Sequence, residues 1–95
     1  MMHRAFLEEM KMKYYCVHSS CTNNRGKVEL SEFEGTSIPK NNSDLDGDTD
    51  IFNYFFSSYE EARAQFDRIY QESKGNSSFP RWVMHDKTRN ETLQT

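Results

Sequence analysis

The segment Asp44-Leu-Asp-Gly-Asp-Thr-Asp50 sets four carboxylates at alternate positions around a glycine. That arrangement could do two kinds of chemistry. Calcium takes six to eight oxygen ligands, and closely spaced Asp side chains in a tight loop can supply several of them. Alternatively, uncompensated carboxylates attract a basic macromolecule. The wider charge pattern bears on the choice. Residues 1–27 hold five basic and two acidic side chains, residues 28–61 one and nine, and residues 62–95 six and four. An acidic middle therefore lies between mildly basic flanks, and Glu32 and Glu34 extend it upstream of the Asp run. A solvated loop is the plain explanation of such a segment.

The Asp run resembles an EF-hand loop over about eight residues, and in neither register is the loop complete. With Asp44, Asp46, Asp48 and Asp50 at ligand positions, Thr49 stands where the sharp-turn glycine belongs and Phe55 where the bidentate Glu belongs. With Gly47 correctly placed, the loop would begin at Asn42 and end at Asn53. No metal and no cofactor is therefore expected. Cys16-Val-His-Ser-Ser-Cys21 with His85 as a fourth candidate could hint at zinc, but Cys16 should lie on the sheet with Tyr14, where a buried Cys behaves as a small apolar group. Cys16 or Cys21 with His18 or His85 is the raw material for a thiol nucleophile, but no nucleophile elbow, oxyanion loop or phosphate loop accompanies it. The pair Glu60 and Glu61 reads as helix N-terminal charge. A catalytic role is not expected.

A basic and aromatic set, Tyr14, Tyr15 and Trp82 with Lys11, Lys13, Arg81, Lys87 and Arg89, could make a stacking face for single-stranded nucleic acid. It would converge only if the first and last strands were neighbours, and the net charge of −3 opposes it.

These groups need elements to position them. Residues 57–75 read as a full amphipathic helix. Ser58, with Glu61 three residues on, makes a capping box, and Ser57 with Glu60 gives the same signal one residue earlier. Tyr59, Ala62, Phe66, Ile69 and Tyr70 form one apolar stripe, and Arg63, Asp67, Arg68 and Glu72 point elsewhere. Lys74 and Gly75 suit the C-terminal end. Strands are expected over 11–18 and 27–34, joined by a loop over 19–26. A bulge near Glu32 would restore the alternation that Phe33 breaks. Residues 35–50 read as a long acidic loop. Ile51–Phe56 and Arg81–Asp86 read as further strands, with a short edge strand from Glu91 to Leu93. Residues 3–11 could form a short helix or a flexible extension.

The chain of 95 residues, 35% hydrophobic but with seven Phe, five Tyr and one Trp, suits one domain with a ring-rich core. The expectation is a single small α+β domain over 1–95, with an antiparallel sheet of about four strands in the order β-β-β-α-β and the helix on one face. Glu8 and Glu9 stand where a signal peptide would need an apolar core, so a cytoplasmic location with reduced Cys16 and Cys21 is expected. The functional expectation is a small non-enzymatic binding protein that modulates or inhibits a larger protein partner with a basic surface. Asp44, Asp46, Asp48, Asp50, Glu32 and Glu34 would form its contact surface. Accessory proteins of phages and mobile elements share this size and composition, an analogy only. The nucleic-acid-binding sheet face is the alternative, and the acidic segment could also imitate nucleic-acid phosphates in a basic groove. Monomer and homodimer fit the composition equally.

Overall fold

The computed structural model describes residues 10–95. It is an α+β fold with one six-stranded mixed sheet and, among the described residues, one helix. The strands are β1 (Met12–Thr22), β2 (Arg25–Gly35), β3 (Asn42–Leu45), β4 (Thr49–Phe56), β5 (Arg81–Asp86) and β6 (Glu91–Gln94). The helix, α1 (Tyr59–Ser73), lies between β4 and β5 in the chain. Across the sheet the order is β3-β4-β1-β2-β5-β6. The helix expected over 3–11 falls almost wholly outside the described residues.

The β1–β2 hairpin is the longest pairing, with continuous register from Met12↔Gly35 to Thr22↔Arg25. The loop expected over 19–26 shrinks to two residues. Asn23 (φ 54°) and Asn24 (φ 61°) both take left-handed conformations, the geometry of a type I′ turn, whose twist matches the strands it joins. Polar Ser19, Ser20 and Thr22 hid the strand, because composition suggested a loop where the ladder continues. The expected bulge at Glu32 is absent. Tyr15↔Glu32 and Tyr14↔Phe33 stay in register, and Phe33 turns to the face opposite Leu30, where it stacks on Tyr14 at 5.6 Å between centroids.

The long loop expected over 35–50 is also corrected. Residues 42–45 pair antiparallel with 50–53, so the Asp run folds into a β3–β4 hairpin. Asn41 helps align it, its Oδ1 accepting from the Phe55 N–H at 2.7 Å. The sheet has six strands, not about four, and is mixed, because β2 and β5 run parallel (Val28↔Met84). The physical reason is crowding. Strand β1 has both neighbours filled, by β2 and β4. The chain leaving β4 crosses the sheet through α1, and β5 must then add beside β2. A crossover of this kind returns the chain in its starting direction, hence parallel to β2.

One side of the sheet meets α1. Val17, Val28, Leu30 and Met84 from the strands and Ala62 and Phe66 from the helix are fully buried, with Tyr15, Phe56, Tyr59, Ile69, Tyr70, Trp82 and Leu93 packed around them. The helix begins as its sequence implies: Ser58 Oγ accepts from the Glu61 N–H at 3.2 Å and donates to Glu61 Oε1 at 2.9 Å. It ends with the Lys74 N–H on the Tyr70 carbonyl (2.9 Å) and Gly75 left-handed at φ 66°.

Arg63 does not point away to solvent. Its Nη1 donates to Asp86 Oδ2 (2.7 Å) and Glu91 Oε1 (2.6 Å), and its Nε to Asp67 Oδ1 (2.9 Å). Asp86 is 0% exposed. Tyr59 OH donates to its Oδ2 at 2.6 Å, and Thr88 donates to its Oδ1 through N–H (3.0 Å) and Oγ1 (2.6 Å). Burial alone pushes the Asp86 carboxyl up, but the hydrogen bonds from Thr88, Tyr59 and Arg63 prevail and hold it below the usual range. The Glu91 carboxylate, despite burial, leads in holding Arg63 protonated.

Three outcomes follow for the scaffold. Arg63→Ala leaves Asp86 buried without its cation and should cost about 3–5 kcal/mol in urea unfolding. Because the folded Asp86 pKa is depressed, its contribution is complete above the unfolded value of about 3.9 and is lost as pH falls through the lower folded value. The Asp86→Asn variant should therefore lose less stability than the native chain on acidification through that window. Gly26 lies under the Trp82 ring: an added Cβ would sit 2.8 Å from Trp82 Cζ3 and overlap the Ser20 carbonyl. Gly26→Ala should displace the indole, read as a shift in Trp82 emission together with a lower Tm; an unchanged spectrum would contradict this packing.

Candidate functional site

The acidic hairpin is held from three sides. Asp46 Oδ1 accepts from the backbone N–H groups of Thr49 (2.8 Å) and Asp48 (3.1 Å), closing the turn around Gly47 at φ 93°. Those two N–H donors hold the Asp46 carboxyl below its ordinary value. Thr49 Oγ1 and Thr22 Oγ1 lie 2.8 Å apart across β4 and β1. A polar chain then crosses three strands. His18 Nδ1 lies 2.7 Å from Asn53 Oδ1, which requires the proton on Nδ1, and Asn53 Nδ2 donates to Asn42 Oδ1 at 3.0 Å. Asn53 and His18 thus align β3 through a link that strand patterning does not show.

Asp44, Asp46, Asp48 and Asp50 are all exposed, and none has an ion-pair partner among the described residues. They do not converge on a point. Pairing with Ile51 puts Asp44 on the sheet face away from α1, pairing with Cys21 puts Asp50 on the other, and Asp46 is occupied by the turn. Among the described residues no three His, Cys, Asp or Glu side chains are placed to hold a metal ion. Glu32 and Glu34 are not part of this group. They pair with Tyr15 and Lys13, whereas Asp50 pairs with Cys21, about 20 Å along β1. Glu32 also meets Lys13 at 3.7 Å. Within the hairpin, Leu45 is 62% exposed. It is the lone apolar side chain in the Asp44–Asp50 run before Ile51, a signal already present in the sequence.

The sheet face away from α1 carries a groove of about 530 Å³. Tyr14, Phe33, Phe55 and Pro39 wall one end, Cys16, Ser31 and Asn53 line its middle, and His18, Glu29 and Lys87 close the other. Lys87 Nζ meets Glu29 Oε2 at 3.2 Å. Burial opposes ionisation of Glu29, but Lys87 leads the neighbours that hold it below the usual range. Cys16 is 5% exposed, and burial pushes its thiol up, away from the thiolate that nucleophilic chemistry needs. Cys21 lies on the helix side, so the two thiols face opposite ways.

The basic and aromatic set divides. Tyr14 and Arg81 lie on the open face. Tyr15 packs edge-on against Tyr59 (6.0 Å) and Trp82 packs against the core, both on the helix side. Arg89 covers the Tyr59 ring at 4.6 Å. Strand β2 separates β1 from β5, so the three rings do not form one platform. No helix among the described residues is long and apolar enough to cross a membrane. Comparison with protein-family models, curated proteins and solved structures finds no match to this chain.

Asp46→Ala should free the turn while leaving the sheet in place. Amide exchange should quicken at Asp48 and Thr49 with little change in the core strands; uniform protection would show that the Asp46 carboxylate does not brace the hairpin.

Proposed function

We propose that this chain is a non-enzymatic binding protein whose β3–β4 hairpin docks on a basic surface of a larger protein partner and modulates it. One observation carries the reading: an ordered hairpin presents the exposed Leu45 beside Asp50 on one face, Asp44 on the other and Asp48 in the turn between them, none of the three carboxylates in an ion pair among the described residues. Exposed like charges steer diffusional encounter, and an apolar anchor among them supplies contact area that holds the complex. The turn geometry favours this use, because a preordered hairpin loses little conformational freedom on docking. Glu32 and Glu34 stand at the far end of the sheet, so the contact surface narrows to Asp44, Leu45, Asp48 and Asp50. The burial that raises the Cys16 thiol pKa disfavours the thiol-nucleophile alternative at that residue. The separation of Tyr15 and Trp82 from Tyr14 weakens the nucleic-acid alternative.

The test uses a partner recovered by affinity capture and its association kinetics with purified protein. Asp44, Asp48 and Asp50 changed together to Asn should leave Tm near that of the native chain, since exposed charges contribute little to stability. The same variant should associate more slowly and with a flatter salt dependence, because screening acts over a Debye length of about 8 Å in physiological salt. Leu45→Ala should instead speed dissociation. Native kinetics in both variants would sink the reading.

A further inference from the structure

The open sheet face is electrically divided about its own midline. The midline of the strand order falls between β1 and β2, with β3 and β4 on one flank and β5 and β6 on the other. The β3–β4 flank carries Asp44 on this face and ends in the turn bearing Asp46 and Asp48, while Asp50 lies on the other face. On the other half, Arg25 and Lys27 of β2 and Arg81 of β5 project from the same face and at the same end as the acidic hairpin, since Thr22 pairs with both Thr49 and Arg25, and Arg25 with Arg81. All three are exposed, and Arg25 and Arg81 have no ion-pair partner among the described residues.

We infer that the open face binds a second copy of this chain in a twofold dimer, sheet against sheet, with the acidic hairpin of each protomer over the Arg25–Arg81 flank of the other. This rests on the hairpin reading above and names one basic surface that fits it. A twofold axis parallel to the strands and over the midline exchanges the flanks, bringing β4 over β5 and β1 over β2 while keeping each row of residues level. Ile51 and Val83 lie in one row, Ile51 opposite Ser20, Ser20 opposite Lys27 and Lys27 opposite Val83. The axis therefore sets Ile51 of one protomer against Val83 of its partner, which is 46% exposed in the single chain. One row further on, the turn bearing Asp46 and Asp48 comes over Arg81. Such an interface is isologous, each contact occurring twice. Pro39 and the Tyr14, Phe33 and Phe55 rings rim the opposite end of the face, so the closest approach falls at the hairpin end. A face about 25 by 20 Å on each protomer would bury on the order of 1,000 Å² in all, the lower limit for a specific interface. The association should therefore be weak and reversible.

Sedimentation equilibrium of the whole chain tests this with charge exchange. One variant carries Asp44→Lys and Asp48→Lys, the other Arg25→Glu and Arg81→Glu; none of the four side chains enters the hydrogen bonds that hold the sheet. The native chain should dimerise, more weakly as salt rises. Each variant alone should be monomeric at concentrations where the native chain is mostly dimeric, because the flank it alters no longer opposes the charge of the flank it would meet. An equimolar mixture should recover a one-to-one dimer, since each reversed flank meets its opposite. A native chain that stays monomeric near millimolar concentration, or variants that dimerise undiminished, would overturn the inference. Its failure is separable from that of the hairpin reading: a monomeric native chain whose captured partner is still lost on neutralising the hairpin defeats only the dimer.

Discussion

The buried carboxylate of Asp86 is the constraint around which the helix and the last hairpin are arranged. It sits at the end of β5 with no access to water, and a charge so placed persists only when donors surround it. Those donors come from two places in the chain: Tyr59 and Arg63 on the first turns of α1, and Thr88 in the turn that follows β5. Arg63 then reaches Glu91 on β6. Apolar burial presses the helix against the sheet without direction. The ion network sets where along the sheet it stops, because only one register satisfies every donor. It therefore ties α1 to β5, to the turn after it and to β6.

The rest of the architecture separates stability from recognition. The core face is filled from Val17, Val28, Leu30, Met84 and Phe66, so stability resides on the helix side. The open face and the β3–β4 hairpin carry little of that burden. Their order comes from polar links, Asp46 across its turn, Thr22 to Thr49 and His18 through Asn53 to Asn42. Such links hold a shape without burying it, which leaves Leu45 and three carboxylates free to meet another surface. The same polar bracing explains how a segment with a loop-like composition holds a strand.

The helix was legible in the sequence because its information is local. The capping box of Ser58 and Glu61, the stripe through Ala62 and Phe66, and the stop at Gly75 all depend on residues within a turn or two of one another. The Val28–Leu30 alternation, the strand at Ile51–Phe56 and the closing strand near Glu91 were legible for the same reason. The acidic character of the Asp44–Asp50 run was equally plain from composition.

What the tertiary structure alone decided is what depends on partners distant in the chain. Ser19, Ser20 and Thr22 become strand because residues 25–28 and 49–52 pair with them, and β3 forms because β4 has an edge left to fill. Arg63 looked like a solvent-facing charge because its partner lies 23 residues away on another element. Phe33 needed no bulge, since Tyr14 on the open face could receive its ring. Glu32 and Glu34, joined to the Asp run by nearness in sequence, stand at the other end of the sheet because a strand carries its residues apart by about 3.3 Å each. Local propensity and pattern determined the helix, several strands and the charge. Non-local pairing determined which charges share a surface, because hydrogen-bonded registers between distant segments leave no mark on either segment alone.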